Sequence, residues 1–166
     1  MKRSVIIVRH AKSSWSDITQ PDFERPLNDR GKADAPAMAR RLLEKQVRID
    51  AFITSPAKRA KKTATLFAEV YGKDKDHLIQ VPALYHAEPA DFYRVIADAP
   101  NEAATIAIFS HNPGITAFVN MLTQVNVDDM PTCAVYAISC ELEYWSGFEA
   151  AAKDFWFFDY PKSILP

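Results

Sequence analysis

Six short apolar runs, rich in β-branched and aromatic residues, punctuate the chain, and stretches of helix length separate the first four. The runs are SVIIV (4–8), DAFIT (50–54), HLIQV (77–81), ATIAIF (104–109), CAVYAISC (133–140) and KDFWFF (153–158). Runs this short, bounded by polar segments, read as strands. Strands that alternate with helices build a mainly parallel sheet covered on both faces. The expected architecture is a three-layer α/β/α sandwich around a mainly parallel central sheet of about six strands. With 166 residues, 48% of them hydrophobic, the chain can bury one sizeable core, so a single domain over 1–166 is expected.

The clearest helix spans 56–71, with Ser55 as N-cap, Pro56 in the first turn, Gly72 beyond the end, and Ala60, Thr63, Phe67, Val70 and Tyr71 along one stripe. A second, about 28–46, has Asn28 as its cap and buries Met38, Leu42 and Leu43; Pro36 is expected to kink it or delay its start. Residues 89–98 and 114–124 complete the helices. Cys133 and Cys140 sit an odd number of residues apart in one apparent strand, so they point to opposite faces and cannot easily bridge. The aromatic tail DFWFFDYPKSILP reads as a last strand packed on the core, its end crossing the surface.

Twenty Lys and Arg against 21 Asp and Glu leave a formal net charge of -1, without the basic excess of a nucleic-acid binder. No apolar stretch approaches the roughly 20 residues that span a bilayer, and MKRSVIIVRH is too short and too soon interrupted for a secretory signal. A cytoplasmic protein that engages no membrane is the expectation.

Three of the apolar runs end in reactive or phosphate-friendly residues. The first is followed by Arg9 and His10, the second by Ser55, Pro56 and, one turn on, Arg59, and the fourth by Ser110, His111, Asn112, Pro113 and Gly114. In an open α/β sheet the C-terminal strand ends line a common edge where ligands bind, so these clusters should converge. Two arginines, two histidines and two helix N-termini suit a compact, doubly charged anion such as phosphate. Near pH 7 an imidazole can be neutral and nucleophilic, so one ring could attack phosphorus while the arginines and the other, protonated ring hold charge on the equatorial oxygens. A zinc site is the rival, yet the chain has no H-E-x-x-H or paired-cysteine spacing, and the arginines would repel a cation. No metal and no cofactor is expected.

In this order the motifs resemble those of the histidine phosphatase superfamily, also called phosphoglycerate mutase-like. RHAKSSWS resembles its R-H-G signature, SPAKRAKKTA its S-P-x-x-R-A-x-x-T-A element, and SHNPG its second histidine loop; DFERPLNDRG (22–31) is similar to the D-x-x-R-P-L-x-x-x-G stretch of the small SixA-type phosphohistidine phosphatases. The resemblance runs from residue 8 to 114 and implies the phosphoglycerate mutase-like fold. By position it implies that His10 is the nucleophile that becomes transiently phosphorylated. Arg9 and Arg59 would bind phosphoryl oxygens, with His111 as their protonated partner. Ser13 falls where the family often carries a hydroxyl and Ser16 where many mutases carry an asparagine that touches phosphate; both are substrate-binding candidates.

The chain departs from that pattern in one place. Mutases and sugar-phosphate phosphatases of the superfamily protonate the leaving oxygen with a glutamate in an L-x-E context, whereas here the stretch is ALYHAEP, with His86 at that position and Glu88 two residues on. A basic alkoxide needs an acid beside it, but a phosphohistidine ring can be protonated first and leave as neutral imidazole, whose conjugate acid has a pKa of roughly 6.5. The departure favours a phosphohistidine substrate, with His86 or Glu88 as candidate proton donors. The implied activity is a metal-independent phosphohistidine phosphatase acting on a phosphohistidine-bearing protein, either a phosphotransfer domain or a phosphocarrier protein. The alternatives are a small-molecule phosphomonoesterase of the same superfamily and a non-catalytic phosphoprotein-binding module. Lys12, Trp15, Lys58, Lys61 and Lys62 lie near the expected mouth and could meet an acidic partner; Lys58, Lys61 and Lys62 read equally well as the wet face of an amphipathic helix. Asp22 and Arg25 read as structural supports that pair with each other or with the loop carrying Lys12.

Overall fold

The computed structural model describes residues 1–163; the end of the aromatic tail, 164–166, lies outside the described residues. Strands β1 (Lys2–Arg9), β2 (Ala51–Thr54), β3 (Leu78–Gln80), β4 (Thr105–Ser110), β5 (Val135–Glu141) and β6 (Asp154–Asp159) form one sheet in the order β3-β2-β4-β1-β5-β6. The β3, β2, β4 and β1 strands run parallel; β5 pairs antiparallel with β1, and β6 antiparallel with β5. The sheet is the expected mainly parallel one, closed at one side by an antiparallel pair, with helices packed on both of its faces.

Residues alternate between two cores. Val5, Ile7, Ile53, Ile106 and Ile108 face one layer, packed with α3 (Pro89–Ala97) and α4 (Gly114–Val119). Ile6, Val8, Phe52, Ala107 and Phe109 face the other, against α1 (Asp29–Glu44) and α2 (Lys58–Val70). Strands covered on both faces must be apolar at successive positions, which is why these read as unbroken hydrophobic runs. Cys133 and Cys140 fall in opposite cores and are both free thiols.

Three local expectations change. Pro36 does not delay α1, which starts at Asp29 behind the Asn28 cap, whose side chain accepts from the Gly31 N–H at 2.8 Å. Burial of Ala35, Met38, Ala39 and Leu42 carries the helix through a position that donates no backbone hydrogen bond. The second helix begins at Lys58 with Ala57 at its N-cap, so Ser55 is left outside it. The fourth ends at Val119 rather than near 124.

Register sets the rim. Arg9 lies opposite Ser110 across β1 and β4, and Thr54 opposite Phe109 across β2 and β4, so the three strands end level. Beyond the last pairs, the His10 N–H still reaches the Ser110 carbonyl at 3.1 Å and the Ser55 N–H the Phe109 carbonyl at 3.0 Å.

Candidate active site

The residues leaving these level strand ends converge on a cavity of about 830 Å³, lined among others by Arg9, His10, Arg25, Arg59 and His111. Two close backbone contacts fix the loops around it. A side chain at Gly31 would collide with the Lys12 carbonyl, and one at Gly114 with the Ala87 carbonyl, so α1 and α4 seat directly on the loops after β1 and before α3.

His10 is buried, and its Nδ1 lies 2.7 Å from the Ala11 carbonyl oxygen. A carbonyl only accepts, so Nδ1 carries the ring proton and Nε2 keeps its lone pair. Burial pushes the His10 pKa down to about 3, helped by the charges of Arg59, Arg9 and Arg25 and opposed by the Ala11 carbonyl. The ring is therefore neutral at pH 7.

His111 stands with its ring centroid 5.1 Å from that of His10. Its Nε2 is 2.8 Å from Ser55 Oγ, which also accepts from the Ala57 N–H at 3.2 Å. The Ser55 hydroxyl can donate to that nitrogen or accept from it, and the opposite ring nitrogen, Nδ1, is buried and without a hydrogen-bond partner. The implied protonated state does not hold in the free site: burial, then His10 and Arg59, push the His111 pKa down to about 2.

The guanidiniums are anchored through their outer nitrogens. Arg9 Nη1 donates to the Met130 carbonyl at 2.7 Å, and Arg59 to the Asp22 carbonyl at 2.7 Å and carboxylate at 3.0 Å. Arg25 donates to the Asp22 carboxylate at 3.1 Å and to the Ser13 hydroxyl, and its guanidinium stacks 3.7 Å from the Trp15 ring centroid. Tyr85 completes the Asp22 cluster with a 2.7 Å hydrogen bond from its hydroxyl. Partial burial opposes the shift, but hydrogen bonds from Tyr85, Arg25 and Arg59 hold the Asp22 carboxyl well below the usual carboxylate range. Asp22 is thus a fixed anion that aligns two arginines, and Arg25 is a third cation in the cavity wall as well as a support.

Among the described residues, four buried side-chain nitrogens have no hydrogen-bond partner: Arg9 Nε, Arg25 Nε, Arg59 Nε and His111 Nδ1. Buried donors are almost always satisfied, and orphaned ones call for an explanation. All four belong to residues lining one cavity beside the lone pair of His10. An anion with several oxygens, entering there, would meet the three guanidiniums together.

The other expected residues divide. Ser13 lines the cavity but is held by Arg25; Ser16 is not among the lining residues, and its hydroxyl pairs with that of Ser14 at 2.9 Å. His86 and Glu88 both line the cavity and are exposed, His86 at a left-handed φ of 59° and Glu88 just ahead of α3. Lys12 and Trp15 are at the mouth, whereas Lys58, Lys61 and Lys62 line a neighbouring groove. Sequence reading missed the cavity roles of Arg25 and Tyr85 and the contact of Ser55 with His111; the charge of Arg25 within DFERP was the one available signal for the first. Among the described residues, no group of three or more His, Cys, Asp or Glu side chains is placed to hold a metal ion, and no helix is long and apolar enough to cross a membrane.

Comparison with known proteins agrees with this arrangement. Residues 5–84 match the model of the histidine phosphatase superfamily (branch 1). An uncharacterised chloroplastic protein of Arabidopsis thaliana is 28% identical over 80% of this chain and 64% of its own length. A 2,3-bisphosphoglycerate-dependent phosphoglycerate mutase of Bartonella henselae is 30% identical over 51% of this chain and 42% of its own length. The chain therefore spans less than two thirds of each of these relatives. The solved structure of the protein histidine phosphatase SixA complexed with tungstate superposes with a TM-score of 0.80 over 95% of this chain and 97% of that one, at 21% identity, a likeness of fold.

Proposed function

From the match of residues 5–84 to the histidine phosphatase superfamily and the geometry of the cavity, we propose that this chain is a phosphohistidine phosphatase of that superfamily, working through a phospho-His10 intermediate. The observation that carries this reading is the set of three arginines and His111, each with an unpartnered buried nitrogen, lining one cavity with the unprotonated His10 imidazole nitrogen. The phosphoryl oxygens take hydrogen bonds from Arg9, Arg25, Arg59 and His111. His10 Nε2 attacks phosphorus, the P–N bond to the substrate ring breaks, and that ring leaves as neutral imidazole after taking a proton. Positive charge that develops on the His10 ring is stabilised by its Nδ1–H bond to the Ala11 carbonyl. Water then attacks phospho-His10, returning the neutral imidazole and releasing inorganic phosphate and a proton. The dianion beside His111 offsets its burial and favours the protonated ring there. No metal enters these steps.

The proposed substrates are histidine-phosphorylated phosphotransfer domains or phosphocarrier proteins of the cytoplasm. A similar fold described as a protein histidine phosphatase with tungstate, itself a tetrahedral oxyanion, supports the reading. A second reading, hydrolysis of small phosphomonoesters, is favoured by His86 and Glu88 in the cavity wall, since either could protonate an alkoxide. Turnover of a phosphohistidine protein and of sugar phosphates by wild type and His10→Ala separates the two. The expected result is a phosphohistidine preference, radiolabel trapped on His10, and loss of both in the variant. Full activity of His10→Ala would overturn the mechanism.

A further inference from the structure

The segment Asp22–Leu27 is a wall with two sides. Asp22 and Arg25 face the catalytic cavity, whereas Phe23, Glu24, Pro26 and Leu27 line a second groove of about 650 Å³. The far side of that groove comes from α2 and its surroundings: Lys58, Lys61 and Lys62, joined by Lys32 and Lys75. Helix α2 is shared in the same way, since Arg59 turns into the cavity and its lysine neighbours into the groove.

Five lysines against one glutamate is a strong local excess on a chain whose formal net charge is -1. All five lysines are exposed, and among the described residues none belongs to an ion pair. A solvated helix face would account for Lys58, Lys61 and Lys62 alone. It does not account for Lys32, from α1, and Lys75, from beyond the end of α2, gathering around the same depression.

The lining is unlike that of a site for free phosphate. It contains no arginine and no unpartnered buried donor, the features that define the catalytic cavity. Its floor instead combines Phe23, Pro26, Leu27 and Pro56 with flexible cations above, a surface that suits an extended polypeptide carrying carboxylates. Phe23 packs edge-on to Tyr85 at 5.1 Å, and Tyr85 holds Asp22, so the floor is braced from the catalytic side.

We propose that this groove docks an acidic segment of the phosphoprotein substrate, next to the cavity that receives its phosphohistidine, an inference that rests on the phosphatase reading. Lysines around a groove attract an acidic partner from a distance and set its register, and salt weakens the effect. Short-range capture of the phosphoryl group stays with Arg9, Arg25 and Arg59.

The test titrates the full chain with a fluorescent glutamate-rich peptide carrying one histidine, with and without phosphorylation, and with a neutral phosphohistidine peptide and a single-stranded oligouridylate. The variant is Lys58→Glu/Lys61→Glu/Lys62→Glu, its fold checked by circular dichroism. The expected result is acidic-peptide binding that weakens about tenfold or more at low salt, converging with wild type at high salt, while turnover of free phosphohistidine is unchanged. Acidic-peptide affinity untouched by the reversals would overturn the proposal, as would tighter binding of the oligouridylate that the reversals abolish. If no substrate labels His10, the phosphatase reading fails, while the titration with unphosphorylated acidic peptide still decides whether the groove binds acidic chains.

Discussion

Lowering the pH from 6.5 to 5 should destabilise this protein in proportion to the two buried imidazoles of its cavity, His10 and His111. Folded, His10 and His111 titrate near 3 and 2, because burial disfavours their charged forms; unfolded, both return to roughly 6.5. Below that value the unfolded chain binds protons that the folded chain refuses. Each ring's share of stability is therefore complete above pH 6.5 and lost as pH falls toward its folded value. The slope is about 1.4 kcal/mol per pH unit per group, so at pH 5 each histidine costs about 2 kcal/mol and the pair about 4. For a domain of this size that corresponds to a fall in Tm of roughly 8–16 °C. Thermal or urea unfolding at pH 7, 6 and 5 reads it directly, with His10→Asn/His111→Gln as the control that keeps polar side chains and removes both titrations. Wild type should lose stability steeply while the double variant stays nearly flat. Parallel loss in the two proteins would refute the reasoning, and with it the claim that burial keeps His10 neutral and ready to attack.

Other outcomes follow from the same contacts. Arg25→Met should raise the inhibition constant for tungstate or phosphate about 10- to 100-fold, because one charge-assisted partner of the oxyanion is lost; an unchanged constant would return Arg25 to a purely supporting role. Asp22→Asn should cost under about 1 kcal/mol of stability, its side chain being 46% exposed, yet depress kcat/KM strongly because Arg25 and Arg59 lose their shared anchor. Gly114→Ala should destabilise by about 1–3 kcal/mol as the new methyl group meets the Ala87 carbonyl, measurable by urea unfolding. Phosphohistidine turnover should be unaffected by EDTA.

Much of this was legible before any coordinates. Val5 to Val8 are apolar without interruption, and a strand between two helical layers requires that, so the sheet could be read from the chain. Arg9, His10, Arg59 and His111 were legible because each lies at a strand's end or within the helical turn that follows it, and parallel strand ends share an edge. What stayed hidden depends on residues far apart in sequence. Only the strand order places β1 beside β4 and β2 beyond it, bringing the His10 and His111 rings to 5.1 Å. Only tertiary packing carries helix α1 through Pro36, lifts Ser55 out of its expected capping role into contact with His111, and turns Arg25 from a loop support into a wall of the cavity.

The sequence alone determined which side chains suited to anion binding and nucleophilic attack follow the strand ends, since that depends on side-chain type and on the local pattern that ends each strand. The tertiary structure decided their protonation, the His10 tautomer and their unpaired buried nitrogens. Those properties come from burial and from partners such as Ala11, Ser55 and Asp22, and long-range packing brings Ser55 and Asp22 into place.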